Sequence, residues 1–165
     1  MRRAVRAVGG LCLTLLAACA GTTTALEPQH KPLGGNLARI YVLRPNPHIN
    51  VVTAGIPIIV DGKTVGSLAT DSYFFVDRPP GRHTLSIAGA SEIDVEVRSG
   101  EVKYLEVGQN PYTLPAPGYQ FLQRALANTG GDPLPGRNNS PLIFYSLDAS
   151  AGPAAVAKLK AARAQ

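Results

Sequence analysis

The feature that most restricts the fold of this chain is a series of short apolar runs separated by turn residues. Residues 92–97 alternate between acidic and aliphatic side chains, which is the pattern of a strand with one solvated and one buried face. Asp61-Gly62 separates the runs 56–60 and 63–68 and favours a type I′ hairpin, because that turn needs positive φ at both central residues. Further strands are predicted at 38–44, 72–76, 82–88, 101–107 and 142–147. Short strands at this spacing predict a mainly β fold, a small antiparallel β-sandwich.

Two segments depart from this pattern. Residues 109–140 contain five prolines and several glycines and are interpreted as an insertion, since loops of this length are either functional or disordered. Residues 151–164 are predicted to form a short C-terminal helix, because Ser150 can cap it and basic residues lie toward its end. The sandwich domain is therefore expected to span residues 37–165.

The N-terminus has the layout of a lipoprotein signal peptide. Arginines at positions 2, 3 and 6 precede an uncharged run, 7–18, that ends in Leu16-Ala17-Ala18-Cys19. The run is shorter than the about 20 apolar residues that a membrane-spanning helix needs. We therefore predict a signal peptide at 1–18, a lipid on Cys19, and a flexible tether at 19–36. The alternative is an ordinary cleaved signal peptide with an incidental cysteine.

The predicted lipoprotein signal peptide indicates that the protein is located in the bacterial envelope. Attachment through several acyl chains is stable, so we expect membrane anchoring through Cys19. Ala20, rather than an aspartate, follows the cysteine, which by analogy with enterobacterial sorting favours the periplasmic face of the outer membrane.

Charge and cysteine content limit the classes of partner and the sources of stability. Removing the three arginines of residues 1–18 lowers the excess of positive charge from five to two, so no nucleic-acid partner is expected. Cys12 would be removed with the signal peptide, and a lipidated Cys19 cannot form a disulfide. Apolar packing alone should then hold the domain together.

The sequence predicts no enzyme, metal site or cofactor. His30, His48 and His83 lie in three separate regions without ligand spacing, and there is no GxSxG or Gly-rich phosphate motif. Asp61, Asp71 and Asp77 are clustered acids near turns. Local bonds in turns and at strand ends explain them, and the alternative is a carboxylate pair for hydrolysis.

Three residues are candidates for binding a partner. Tyr73 shares a strand face with Phe75 and belongs either to the core or to an open aromatic platform. Arg78 and Arg82 flank Pro79-Pro80-Gly81, where a preformed loop would present planar donors to carboxylates or phosphates. The alternative is a simple turn with solvated arginines.

The order of segments resembles an uncharacterised bacterial lipoprotein family, domain of unknown function 2846. The resemblance rests on ARIYVLRP, PIIVDGKTVGSL, SYFFVDRPPGRHTLS, VKYLEV and PLIFYSLDASAGPAAVAKLKAA. It covers most of residues 38–162 and leaves 116–139 as an insertion. The central VDGKTVG and PPGRHTLSI also resemble PEGA-type β-sandwich modules of bacterial surface proteins. Both resemblances imply a small β-sandwich, and neither implies a catalytic residue.

These observations lead to one functional hypothesis and two alternatives. We expect a lipid-anchored, non-catalytic binding or assembly module of the envelope, with an envelope protein or peptidoglycan as partner. The first alternative is a small envelope hydrolase that uses Asp61, Asp71 and Asp77. The second is a purely structural spacer.

Overall fold

The computed structural model of the 165-residue chain describes residues 26–45, 55–113, 131–134, 136 and 140–162. The predicted signal peptide at 1–18, the lipidation site Cys19, His48 and most of the predicted insertion at 109–140 lie outside these residues.

The described residues form two β-sheets and one short helix. The large sheet has the strand order β10-β4-β1-β7-β9-β8, and the small sheet has the order β3-β2-β5-β6. The element bounds are β1 Ala38–Arg44, β2 Ile56–Val60, β3 Lys63–Leu68, β4 Ser72–Arg78, β5 Gly81–Ile87, β6 Glu92–Val97, β7 Val102–Gln109, β8 Gly131–Leu134, β9 Leu142–Leu147, α1 Ala151–Val156 and β10 Lys160–Ala161.

A single apolar core lies between the two sheets. Alternate residues of β1 and β4, such as Ile40, Val42 and Phe74, meet alternate residues of the small sheet, such as Ile58 and Leu85. All five side chains are fully buried. The mainly β, two-sheet architecture predicted from the alternation is confirmed.

Local patterns predicted the strands and the first hairpin well. Strands β1, β2, β3, β6 and β9 have the predicted bounds. Asp61 and Gly62 have φ values of 51° and 76°, which is the pair of positive φ angles that a type I′ turn requires.

The predicted antiparallel pairing holds throughout the small sheet but is wrong for two strand pairs of the large sheet. β1 pairs with β7 in parallel, with Tyr41 opposite Tyr104, and β10 pairs with β4 in parallel. A parallel pair needs a long crossover connection. Strands β2 to β6 supply it here, because they include the entire small sheet and return the chain to the far side of β1.

The C-terminal helix is much shorter than the predicted 151–164. Helix α1 ends at Val156, and the chain then extends along the edge of β4. The Lys160 N–H donates to the Asp71 carbonyl at 3.0 Å, and the Ala162 N–H donates to the Tyr73 carbonyl at 2.7 Å. The chain leaves the helix because β4 offers these carbonyls at an otherwise unpaired edge.

The described part of the predicted flexible tether is docked on the domain. The Phe75 N–H donates to Gln29 Oε1 at 2.6 Å, and Gln29 Nε2 donates to the Phe75 carbonyl at 3.1 Å. Leu26 packs against the core. The side-chain amide of Gln29 thus continues the edge pairing of β4 beyond β10, and the prediction of flexibility is wrong for these residues.

The alternation of β6 predicts two very different mutational effects. Val95 is 6% exposed and Glu96 is exposed. Val95→Ala should lower the free energy of unfolding by about 1–3 kcal/mol because it deletes buried methyl groups, whereas Glu96→Ala should change it by less than about 0.5 kcal/mol. Urea unfolding of the two variants checks this, and equal shifts in midpoint would show that the strand faces are assigned incorrectly.

Candidate functional site

The side of the large sheet that faces away from the small sheet, here called the outer face, carries most of the functional candidates. Strand alternation places every second residue of β1, β4, β7 and β9 on this face. Its members are Arg39, Tyr41, Leu43, Tyr73, Phe75, Asp77, Tyr104, Glu106, Tyr145 and Leu147.

An aromatic cluster occupies the middle of the outer face. Tyr41 stacks on Tyr104 with ring centroids 5.1 Å apart and contacts the edge of Phe75 at 5.4 Å. The candidate residue Tyr73 lies 5.9 Å from Tyr41 in a tilted arrangement. Phe75 is buried, whereas the three tyrosines are half-buried. Tyr73 is therefore part of a packed cluster and not of a flat, open platform.

A chain of ion pairs covers one end of this cluster. Arg39 Nε lies 2.8 Å from Asp77 Oδ1, and its guanidinium carbon lies 3.6 Å from the centroid of Phe75. Lys31 Nζ lies 3.3 Å from Asp77 Oδ2. Burial acts to raise the pKa of Asp77, but the hydrogen bonds and charges of Arg39 and Lys31 outweigh it and hold this pKa below its usual range. The carboxylate of Asp77 is therefore matched by two cations.

The three acids proposed for hydrolysis do not form one site. Asp61 Oδ2 lies 2.8 Å from His83 Nδ1, and Asp61 Oδ1 accepts the Thr84 N–H at 3.1 Å, as expected of a turn residue. Asp71 and Asp77 flank opposite ends of β4, about 20 Å apart at the usual rise per residue. Asp77 is paired and has a lowered pKa, so it is a poor general acid.

The two candidate arginines point to different surfaces. Arg78 Nη1 donates to Glu27 Oε1 at 2.8 Å, and Arg78 Nε lies 3.9 Å from Asp61 Oδ2. Arg82 is exposed on β5, opposite Glu96 of β6, on the outward side of the small sheet. The Pro79-Pro80-Gly81 turn therefore does not bring the two guanidinium groups together, and Arg78 stabilises the docked N-terminal segment instead.

This difference can be measured directly. Arg78→Ala removes a partly buried ion pair and should lower the free energy of unfolding by about 1 kcal/mol. Arg82→Ala, the matched control on the exposed strand, should change it by less than about 0.5 kcal/mol. Thermal or urea unfolding compares the two variants. A larger loss from Arg82→Ala than from Arg78→Ala would contradict the assignment of the ion pairs.

A recess opens at the other end of the outer face, between the large sheet and α1. Its volume is about 270 Å³, and its lining is mostly apolar. The described residues that line it are Leu43, Pro45, Glu106, Leu147, Ala151, Ala154, Ala155, Lys158 and Leu159. A mostly apolar cavity with few polar groups is the usual form of a small-molecule site.

Helix α1 is held over the sheet by a close approach at Gly152. A Cβ atom on Gly152 would lie only 2.2 Å from the ring carbons of Tyr104, so any larger residue would push the helix away from the aromatic cluster. Asp148 Oδ1 accepts the N–H groups of Ser150 and Ala151 at 2.8 Å each. The predicted cap Ser150 makes no side-chain capping bond, and Asp148 fixes the start of α1 in its place.

Glu106 is the polar group at the base of the recess. It is 8% exposed, and no hydrogen bond or ion pair joins its carboxylate to the described part of the chain. Burial raises the pKa of Glu106 to about 7, because removal from water disfavours the charged form. The neighbouring Tyr145 donates its hydroxyl to the Gln109 carbonyl and not to Glu106. Glu106 is thus a buried acid without a protein partner among the described residues.

Residues 35–112 match the model of a family described as protein of unknown function, DUF2846. The chain is thus similar to this family over somewhat less than half of its length. The resemblance to DUF2846 stated from the sequence is thereby confirmed for residues 35–112. The resemblance beyond residue 112, the lipoprotein character and the resemblance to PEGA-type modules stay predictions. No curated protein and no solved structure matches the chain. The DUF2846 segment includes Leu43 and Glu106 on the sheet side of the recess, and α1 lies outside it.

The described residues contain neither a metal-binding cluster nor a membrane-spanning helix. No group of three or more His, Cys, Asp or Glu side chains is arranged to hold a metal ion there. No helix in the described ranges is long and apolar enough to span a membrane.

Sequence reasoning about the DUF2846 segment missed Glu106. The local sequence KYLEV alternates, so Tyr104 and Glu106 could be placed on the face opposite Leu105 and Val107. Such an alternation is typical of a strand with one solvated face, as in β6. Residues of α1, almost fifty residues later in the chain, line the recess together with Glu106, and this contact could not be predicted from the local pattern.

Burial of Glu106 predicts a specific pH dependence of stability. Because the pKa of Glu106 is higher in the folded than in the unfolded chain, its contribution to stability falls as pH rises from about 4.5 to 7 and is constant above that range. Glu106→Gln removes this loss. Between pH 4.5 and 7 the free energy of unfolding of the variant should therefore rise relative to that of the wild type by about 3 kcal/mol. Urea unfolding at several pH values, with exposed Glu96→Gln as the control, measures the gain. A difference between Glu106→Gln and wild type that does not vary with pH would contradict the burial of a titrating carboxyl.

Proposed function

We propose that this protein is a lipid-anchored, non-catalytic binding module of the bacterial envelope, and that its ligand site is the recess beneath α1. The observation that carries the binding role is an open, mostly apolar cavity of about 270 Å³. The Glu106 carboxylate lies at its base without a partner among the described residues. Buried carboxylates in proteins are normally paired or hydrogen-bonded, because leaving one unpaired is costly. A ligand would supply the missing partner.

The architecture around the recess supports binding in preference to a spacer role. Leu43 and Glu106 lie on adjacent central strands of a six-stranded sheet, directly opposite each other in register. Gly152 fixes α1 against the same sheet through Tyr104. Sites built on such rigid elements hold their groups in place before a ligand arrives, which a spacer does not require.

The positions of the acids favour a non-catalytic role over hydrolysis. Asp71 and Asp77 are separated by the length of β4, and Arg39 and Lys31 pair with Asp77. Glu106 has no second carboxylate among the described residues that line its recess. Two carboxylates at a defined separation, as acid–base hydrolysis uses, are therefore not assembled in the described part of the chain.

The proposed anchor is supported by the motif at Leu16–Cys19 and by the docked segment that follows it. Gln29 and Glu27 attach this segment to β4. Only six residues lie between Cys19 and Leu26, so the two residues are at most about 25 Å apart in a fully extended chain. A lipid on Cys19 would then keep the domain close to the membrane surface.

Lipidation is tested by removing the cysteine. Cys19→Ala should leave an uncleaved precursor or move the protein from the membrane pellet to the soluble fraction. Labelling cells with a radioactive fatty acid should mark the wild type and the control Cys12→Ala, which changes the other cysteine of the chain. A wild-type protein that remains soluble and unlabelled would contradict the anchor.

The binding role is tested by crosslinking inside cells. A photoreactive amino acid at Ala154, which lines the recess, should give an adduct with an envelope component. The same group at Glu96, on the outward side of β6, should give none. The Ala154 adduct should disappear when Ala155→Phe fills the recess. Absence of any adduct at Ala154, or the same adducts at both positions, would overturn the proposal.

A further inference from the structure

We infer that the recess accepts a small aliphatic ω-amino acid, with its ammonium group on the Glu106 carboxylate and its own carboxylate near Lys158. This inference rests on the proposed function, since it names the ligand class of the same site. It is drawn from three features of the recess: an acidic side chain at its bottom, apolar walls, and a basic side chain at its rim.

The acidic side chain at the bottom of the recess favours a ligand group that is cationic or donates several hydrogen bonds. Glu106 is more than nine-tenths buried and lines the recess without a hydrogen-bond or ion-pair partner among the described residues. An ionised carboxylate in such a place needs a cation with hydrogen-bond donors. A primary ammonium supplies one positive charge and three donors. An anionic head group, such as that of a free fatty acid, would be repelled.

The apolar walls of the recess favour a ligand with a short aliphatic chain. The described residues between Glu106 and the rim are mostly aliphatic, among them Leu43, Leu147, Ala155 and Leu159. The cavity volume of about 270 Å³ equals that of about nine water molecules at roughly 30 Å³ each. A molecule with about nine non-hydrogen atoms, such as 6-aminohexanoate, is therefore of the right size.

The basic side chain at the rim of the recess favours a ligand with a negative charge at its far end. Lys158 lines the same recess but is exposed, whereas Glu106 is buried. Neither residue forms an ion pair with the other or with another described residue. The recess thus presents opposite charges at two depths, and a ligand with an ammonium at one end and a carboxylate at the other would match both.

The titration of Glu106 gives this binding a definite pH dependence. The pKa of Glu106 is raised to about 7, so a substantial fraction of the free protein carries the neutral acid near pH 7. An ammonium ligand binds the ionised form. Affinity should therefore increase as pH rises through 7, with a proton released on binding at neutral pH.

The test is a calorimetric titration of the detergent-solubilised mature protein with 6-aminohexanoate at pH 8, with empty micelles as the blank. Hexylamine lacks the carboxylate, and hexanoate lacks the ammonium. The expected order of affinity is 6-aminohexanoate first, hexylamine second and hexanoate last. Glu106→Gln should weaken 6-aminohexanoate at least tenfold, and Lys158→Ala should reduce its affinity to that of hexylamine. Glu96→Gln should have no effect.

The outcomes separate this inference from the proposed function. Failure of 6-aminohexanoate to bind, equal binding of hexanoate, or unchanged binding by Glu106→Gln would overturn the ligand class. If the Ala154 crosslink still forms in that case, the recess remains a binding site for a different ligand. Ala155→Phe, which fills the cavity without changing either charge, should also abolish binding, and its failure to do so would place the ligand outside the recess.

Discussion

The structure depends on one constraint: the large sheet carries apolar and aromatic side chains on both faces, so both faces must be covered. The small sheet covers the inner face over residues such as Ile40 and Phe74. On the outer face, the N-terminal segment docks near Phe75 through Gln29, and α1 docks on Tyr104 through Gly152. No disulfide is needed in such an arrangement, because burial of apolar surface supplies the stabilisation.

The two ends of the outer face differ in how their buried charges are compensated. At one end Asp77 is matched by Arg39 and Lys31, which lower its pKa. At the other end Glu106 is buried beside a cavity without a partner in the described residues, and its pKa is raised. The first end is complete within the protein and stabilises the docked segment. At the second end no cation of the described residues pairs with Glu106, which is why we propose ligand binding there.

The local part of the fold could be predicted from the sequence, and the non-local part could not. The alternation in Glu92–Val97 and the Asp61-Gly62 pair specify a strand and a turn within a few residues. The parallel pairing of β1 with β7, and the return of the chain from α1 to Lys160–Ala161 at the edge of β4, depend on partners far apart in sequence. The candidate site likewise depends on partners far apart in sequence, which local patterns do not predict. Arg78 and Arg82 are only four residues apart in sequence but point to different surfaces, whereas Glu106 lies in a recess that α1, far away in sequence, helps to form.

The buried carboxyl group of Glu106 has no partner in the described part of the chain and is suited to a cationic ligand. Its own titration tests this most directly. Carbon-detected NMR of the side-chain carboxyl carbon of Glu106 follows its titration in the folded protein. We expect a midpoint of about 7 in the free protein, because burial disfavours the charged form. We expect a lower midpoint when 6-aminohexanoate is present, because the ammonium stabilises the carboxylate. A midpoint near the ordinary 4.5 of glutamate in the free protein would contradict the account.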